Sequence, residues 1–177
     1  ALAAIAIQSN QNDQHGGQSI PAFDYYLAPG VLKTFKKMLK TTIKDYIDLE
    51  DLNDFINISS IEKEIAKINT IDITVEYFEK FYKTSDLMKR LFDMSIKKSL
   101  EKTDKRTYQA MEAFVHNLNT MHSRAGAQVP FSSINFGTDT SSEGRMVTKN
   151  YMLASEAGLG QGETPIFPIS IFKVKEG

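Results

Sequence analysis

The chain has 177 residues, of which 41% are hydrophobic and 24% are charged, and its formal net charge is −1. This balance is typical of a globular domain or part of one, and it gives no electrostatic case for nucleic acid or an acidic membrane as partner. The absence of cysteine excludes disulfides, thiolate metal sites and cysteine nucleophiles within these residues. No apolar run approaches the roughly 18 residues of a membrane span. The three histidines lack a metal-ligand spacing, so we expect no metal site.

The first quarter of the chain predicts a helix, a loop, a strand and a second helix. Residues 1–11 are largely apolar and indicate the last turns of a buried helix. Residues 12–21 are polar, contain a glycine pair and predict a loop. Residues 22–27 are rich in aromatics and precede Pro29, which predicts a short strand. Residues 31–47 place apolar side chains at helical spacing opposite lysines and predict an amphipathic helix.

The middle of the chain is dominated by helical patterns. Residues 59–62 resemble a capping box and predict a short helix to about Ile68. Residues 71–75 alternate like a strand but fit the start of a helix equally well, and residues 76–82 have a helical pattern. Two further amphipathic helices are then predicted, over 87–100 and from 108 to an end at residues 124–126.

The last third predicts a strand, a helix and a final strand. Residues 129–136 read as a buried strand closed by Gly137. A helix from about Glu143 to Glu156 is capped by the preceding Ser/Thr cluster and stops at Gly158, and residues 166–175 predict a strand. Strands separated by long helical connections favour an α/β arrangement with parallel or non-adjacent strands. The apolar first residues and the unpaired last strand indicate a single partial domain over 1–177, cut at both ends.

Two polar, glycine-containing segments are candidate binding sites. Residues 10–19 place amide side chains around a glycine pair, which suits recognition of a base edge or phosphate, although a solvated connection is the more common meaning of such a loop. Residues 121–142 combine a helix end, a strand with one polar face and hydroxyls before the next helix, which indicates either a cavity wall with an anion site or a plain helix cap. Arg124 in this segment could bind phosphate, but an arginine at a helix C-terminus is favourable without a ligand. The lysines of 33–44 could meet triphosphates, but a solvated face is the better interpretation.

Both polar segments resemble signature segments of the anaerobic (class III, glycyl-radical) ribonucleoside-triphosphate reductases. The first carries the residues Gln14-His15-Gly16-Gly17-Gln18-Ser19-Ile20-Pro21, continuing through Phe23-Asp24-Tyr25 to Pro29-Gly30. The second carries Val129-Pro130-Phe131-Ser132-Ser133-Ile134-Asn135-Phe136-Gly137-Thr138-Asp139, continuing through Glu156-Ala157-Gly158 to Thr164-Pro165-Ile166-Phe167-Pro168. The helical middle matches only in character.

The resemblance implies a helix-rich segment of a ten-stranded α/β barrel, mostly helical with three or four short strands. It implies a cytoplasmic parent enzyme that reduces ribonucleoside triphosphates to deoxyribonucleoside triphosphates. Its parts would be a glycyl radical, zinc, formate as reductant, dNTP and ATP effectors, a homodimer and a radical-SAM activase. The radical residues would lie outside these 177 residues, so the isolated chain is expected to be inactive. A non-catalytic nucleotide-binding or dimerisation module and a glycyl-radical enzyme for another substrate are the alternatives.

The resemblance also implies where nucleotides would be recognised. In the wider reductase family a glycine-containing loop leads into a strand of the type found at residues 22–29, and it links the effector site to the substrate base. By this analogy residues 14–19 form the specificity loop, with Gln18 and Ser19 as base contacts. We expect no catalytic or metal-binding residue in this chain. The expected substrate- and effector-binding residues are Gln14, His15, Gly16, Gly17, Gln18, Ser19, Ser132, Ser133 and Asn135.

Overall fold

The computed structural model of the chain describes residues 2–13, 16–52, 56–83, 85–121, 129–160 and 163–174. Within these residues the elements are α1 (Leu2–Asp13), β1 (Gln18–Ile20), α2 (Phe23–Leu49), α3 (Ile58–Lys67), α4 (Val75–Glu79), α5 (Asp86–Thr120), β2 (Ser132–Phe136), α6 (Ser142–Ala157) and β3 (Ile169–Phe172). The chain divides into two compact units. Unit 1 is Ala1–Ala28 with Arg106–Gly177, and unit 2 is Pro29–Lys105. The single partial domain over 1–177 stays a prediction.

Unit 1 contains a three-stranded parallel sheet in the order β1-β2-β3. Gln18 pairs with Ser132 and Ile20 with Ile134 in the first ladder, and the second runs from Ser133 opposite Ile169 to Phe136 opposite Phe172. Long crossovers separate the three strands in sequence, as parallel pairing requires. The predicted helix-rich α/β class and parallel strands are therefore confirmed, while the ten-stranded barrel remains an expectation.

One face of the sheet is covered by helices. Ile134 and Phe136 of β2 point into this side and are buried. The ring of Tyr151 on α6 lies 5.2 Å from that of Phe136 and 5.7 Å from that of Phe23, and the Tyr151 hydroxyl is 2.6 Å from Ser170 Oγ on β3. Edge-on aromatic contacts, together with the hydrogen bond of the Tyr151 hydroxyl, thus join α6 and the start of α2 to the sheet.

The strand predicted over residues 22–27 is wrong, because α2 begins at Phe23 and continues through Pro29 and Gly30. Phe23 is buried, while Tyr25 and Tyr26 are each 63% exposed, so burial does not follow the alternation of a strand. Core packing of Phe23 and an acidic residue, Asp24, in the first turn of the helix outweigh the weak strand preference of the aromatics. The strand lies earlier, at Gln18–Ile20, inside the segment predicted to be a loop.

Several helix boundaries also differ from the predictions. The two helices predicted over 87–100 and from 108 form one 35-residue helix, α5. It ends at Thr120, before the predicted end at 124–126, and residues 124–126 lie outside the described ones. The cap of α3 is Asn57, whose Oδ1 accepts a hydrogen bond from Ser60 N, so the capping box predicted at 59–62 is wrong. Residues 71–75 lead into α4 and form no strand.

The predicted last helix and last strand are confirmed. Helix α6 has Ser141 as its N-cap, with Ser141 Oγ accepting from Gly144 N at 3.1 Å. It ends at Gly158, whose φ of +73° is a conformation that favours glycine. Strand β3 occupies Ile169–Phe172 within the predicted 166–175.

Candidate functional site

Strands β1 and β2 bring the two polar segments of the sequence together. Ser19 lies opposite Ser133 in the parallel ladder, and Gln18 lies opposite Ser132. The register therefore places predicted site residues from both segments side by side, although more than a hundred residues separate them along the chain. Strand pairing supplies a juxtaposition that neither segment could create alone.

Side chains alternate between the two faces of a strand, and this alternation places some of the predicted site residues on the face of the sheet opposite the helices described above. Ser19 is exposed, and Ser133 and Asn135 of β2 are partly exposed. Asn135 Nδ2 donates a long hydrogen bond of 3.4 Å to Ser19 Oγ. Ile169 and Ile171 of β3 lie opposite Ser133 and Asn135 and are each 43% exposed. The open face, defined here as Ser19, Ser133, Asn135, Ile169 and Ile171, thus combines three neutral polar side chains with two apolar ones.

Gln18 and Ser132 belong to the other face. Successive side chains of a strand point to opposite sides, so Gln18 points away from the side that Ser19 faces. Ser132 is fully buried, and its Oγ has no hydrogen-bond partner among the residues that the structure describes. A single ligand lying on the open face would consequently contact Ser19 but not Gln18.

The glycine pair sets the approach of the loop to β2. Gly16 has a φ of +132°, which L side chains rarely adopt. A Cβ on Gly17 would lie 2.5 Å from Phe131 Cδ1, and the next residue, Gln18, donates its backbone NH to Phe131 O at 3.0 Å. Both glycines therefore allow the backbone conformation and the close approach with which β1 begins. Gln14 and His15, the two preceding residues of the predicted site, lie outside the described residues.

Side chains of the chain itself occupy the start of α6, which was a candidate anion site. Ser141 Oγ caps Gly144 N, and Asp139 Oδ1 accepts a hydrogen bond from Ser141 N at 2.9 Å. Asp24 Oδ2 accepts bonds from the backbone NH groups of Gly137 and Asp139. Two carboxylates beside the helix start repel an anion, so the arrangement favours the plain cap. Asp24 is absent from the predicted site because the sequence around it predicts a strand. The sequence signal that could have drawn attention to Asp24 is an acidic residue in the first turn of a helix.

The lysine face lies in unit 2, and two of its cations already have partners there. Lys36 Nζ donates to Ala66 O at 2.8 Å, and Lys40 forms a 2.9 Å ion pair with Glu62. The pairing favours the interpretation of this surface as an ordinary solvated helix face. Elsewhere, the hydrogen bonds that Lys67 donates to Glu64 and Lys89 donates to Glu79 raise the pKa values of these two lysines.

Within the described ranges, no group of three or more His, Cys, Asp or Glu side chains is placed to hold a metal ion. No helix among the same residues combines the length and apolar character needed to cross a membrane. Of the polar segments that the sequence selects, the candidate site that the structure supports is the open face, a neutral surface of hydroxyl and amide groups flanked by isoleucines.

A helix-rich α/β protein with a polar strand pair exposed on one sheet face, among the residues that the structure describes, is the class that fold and site define. The family model described as "Anaerobic ribonucleoside-triphosphate reductase" matches residues 1–177, and the chain belongs to that family. The anaerobic ribonucleoside-triphosphate reductase of Enterobacteria phage T4 is 43% identical over 77 residues, which are 43% of this chain and 13% of the phage protein. Those of Salmonella typhimurium and Escherichia coli are each 34% identical over 77 residues, which are 43% of this chain and 11% of each relative. The matched region is thus a small part of each relative.

Proposed function

We propose that this chain is a segment of an anaerobic enzyme that reduces ribonucleoside triphosphates to deoxyribonucleoside triphosphates, and that its open face contacts the nucleotide. The observation that carries the proposal is the parallel pairing of β1 with β2, which puts Ser19, Ser133 and Asn135 on one uncovered surface. The family assignment supplies the class of ligand, and the strand pairing supplies a surface for it.

The chemistry of the open face suits recognition rather than bond breaking. Serine hydroxyls and the asparagine amide each donate and accept hydrogen bonds, so they can satisfy the mixed groups of a base edge or a ribose. Ile169 and Ile171 offer apolar contact area beside them. The face carries no charge and no activated nucleophile, which assigns it to selecting and orienting the nucleotide.

We further propose that other parts of the parent polypeptide supply the radical chemistry. The 177 residues contain no cysteine, so no thiyl radical can form on them. The glycyl radical, zinc site, formate reaction, homodimer contacts and activase docking are assigned to the parent on the basis of the family alone. The specificity-loop role of residues 14–19 rests on the same basis, together with the position of Gln18 and Ser19 beside β2.

The proposal is tested by replacing Ser133 and Asn135 separately with alanine in a complete reductase polypeptide that contains this segment. Relative kcat/KM values for ATP, CTP, GTP and UTP are measured under anaerobic conditions. Each variant loses one neutral hydrogen-bonding group, so we expect the preference among the four substrates to change by about 3- to 10-fold. Ser59→Ala, at an exposed position of α3, is the matched control and should leave the preference unchanged.

The alternatives make different predictions. Unchanged preference in both variants would remove the open face from nucleotide selection. Calorimetric titration of the isolated chain with deoxyribonucleoside triphosphates addresses the non-catalytic binding module: binding comparable to that of the complete reductase would favour it, and no binding would exclude it.

A further inference from the structure

Asp24 is a fully buried carboxylate that links two distant backbone segments. It lies in the first turn of α2, four residues after the end of β1. Its Oδ2 accepts hydrogen bonds from Gly137 N at 2.8 Å and Asp139 N at 3.1 Å, both in the connection that follows β2. Its second oxygen, Oδ1, is buried without a hydrogen-bond partner among the residues that the structure describes, so the two backbone NH groups on Oδ2 and the helix start are what stabilise this carboxylate.

The hydrogen bonds of Asp24 lie just beyond the end of the ladder between β1 and β2. The last pair between β1 and β2 is Ile20 with Ile134, whereas β2 continues to Phe136. Asn135 therefore has no ladder partner on β1, and only its side-chain amide reaches back to that strand, at Ser19. The Asp24 bonds connect the chain after β1 to the chain after β2 just beyond this point.

The end of β2 is held from its other side by β3. Lys173 N donates to Phe136 O at 2.7 Å, and a Cβ on Gly137 would lie 2.6 Å from Lys173 O. Gly137 also has a φ of +104°, which favours glycine. The backbone at Gly137 is thus fixed between Asp24 and the residue after β3, with little room for displacement.

We propose that Asp24 is a positioning residue for the open face: its carboxylate extends the connection between β1 and β2 past their last ladder pair and holds Asn135 beside Ser19. Asp24 is fully buried and is not one of the residues that form the open face. Its effect on nucleotide selection rests on the proposed function, whereas its effect on the backbone after β2 does not.

Three substitutions of Asp24 in the complete reductase test this role. Asp24→Ala removes the acceptor, and we expect amide hydrogen exchange of the segment 137–139 to accelerate at least ~10-fold. Asp24→Asn keeps an oxygen acceptor and should stay within about 3-fold of the parent rate. Asp24→Glu keeps the charge but displaces the carboxylate, so it should also accelerate exchange; it carries the test if Asp24→Ala is insoluble. Ser141→Ala, which removes the α6 cap and not this link, is the matched control and should leave that segment protected.

Nucleotide preference is the second measurement. We expect Asp24→Ala to change the relative kcat/KM among the four ribonucleoside triphosphates in the same direction as Asn135→Ala, and Asp24→Asn to restore the parent pattern. Unchanged exchange at 137–139 in Asp24→Ala and Asp24→Glu would refute the link itself. Faster exchange with unchanged preference, while Asn135→Ala still alters it, would refute the positioning role alone. Faster exchange with no effect of Ser133→Ala or Asn135→Ala would leave the link intact and refute the proposed function.

Discussion

Gly17 controls how closely the loop before β1 approaches β2. Any side chain there would meet the ring of Phe131, whose Cδ1 lies 2.5 Å from the position of a Cβ. The Phe131 ring itself contacts Phe167 edge-on, at 5.2 Å between centroids. A substitution at Gly17 must therefore move an aromatic ring out of an existing contact.

We predict that Gly17→Ala lowers the free energy of unfolding by about 1–2 kcal/mol because of this overlap. The free energy is measured by urea denaturation. In a Phe131→Ala background the ring is gone, so the same substitution should cost far less, and an undiminished cost would contradict the explanation. Gly30→Ala is the control: its Cβ would meet nothing within 4 Å on an exposed part of α2, and it should raise stability by about 1 kcal/mol.

The individual site residues differ in how far local sequence could predict them. Polar composition is enough to select Ser19, Ser133 and Asn135, which the structure brings onto one face. It cannot separate Gln18 from Ser19, because the face that a side chain takes depends on where the strand starts, and that start lies within a predicted loop. The link that Asp24 makes is beyond such a prediction: an acidic residue at a helix start is a local signal, but the partners of Asp24 are backbone NH groups more than a hundred residues away.

At the scale of elements, periodicity predicts most helices but not their limits. The α6 cap and its terminal glycine are local signals, and both are found where the sequence indicates them. Within the continuous helix α5, Ser99 and Thr103 are buried and donate to the carbonyls of Ser95 and Ser99, one turn earlier, so their hydroxyls are satisfied inside the helix. These buried hydroxyls interrupt the apolar pattern, and the interruption suggests two helices where there is one.

Helices α3 and α4 of unit 2 are joined by Tyr77, whose hydroxyl donates to Glu64 O at 2.9 Å. Partial burial, followed by the charge of Glu64, raises the pKa of Tyr77 above its usual 10.0. The folded chain therefore holds this proton more tightly than the unfolded chain does. Its contribution to stability is complete below about pH 10 and is lost as the pH rises through the raised folded value.

We predict that Tyr77→Phe lowers the free energy of unfolding by about 1 kcal/mol near neutral pH, where the lost hydrogen bond dominates. Above about pH 10 the difference between parent and variant should shrink, because the phenylalanine has no proton to lose. Urea denaturation at a series of pH values between 7 and 11 measures both effects. A difference that stays constant or grows above pH 10 would contradict the assigned direction of the pKa change.

At the scale of the whole molecule, the open face of the sheet in unit 1 keeps exposed side chains among the residues that the structure describes. Parallel sheets in proteins are almost always covered on both faces. Here Ile169 and Ile171 of β3 remain 43% exposed, beside the polar residues of the open face. Composition and periodicity predict the parallel α/β class, but they cannot predict which face stays uncovered, because that depends on contacts between distant segments.

We predict that the isolated chain self-associates through this face, since a second copy can cover apolar surface that water otherwise contacts. Sedimentation velocity over a concentration series should show the average mass rising with concentration. Ile171→Asp places a charge on the apolar part of the open face and should shift the midpoint of association to at least ~10-fold higher concentration. Leu49→Asp, at an exposed apolar position at the end of α2 in unit 2, is the matched control and should leave the midpoint unchanged. If both variants weaken association equally, the contact does not involve the open face, and the nucleotide-binding proposal loses the argument that this face is an unsatisfied surface.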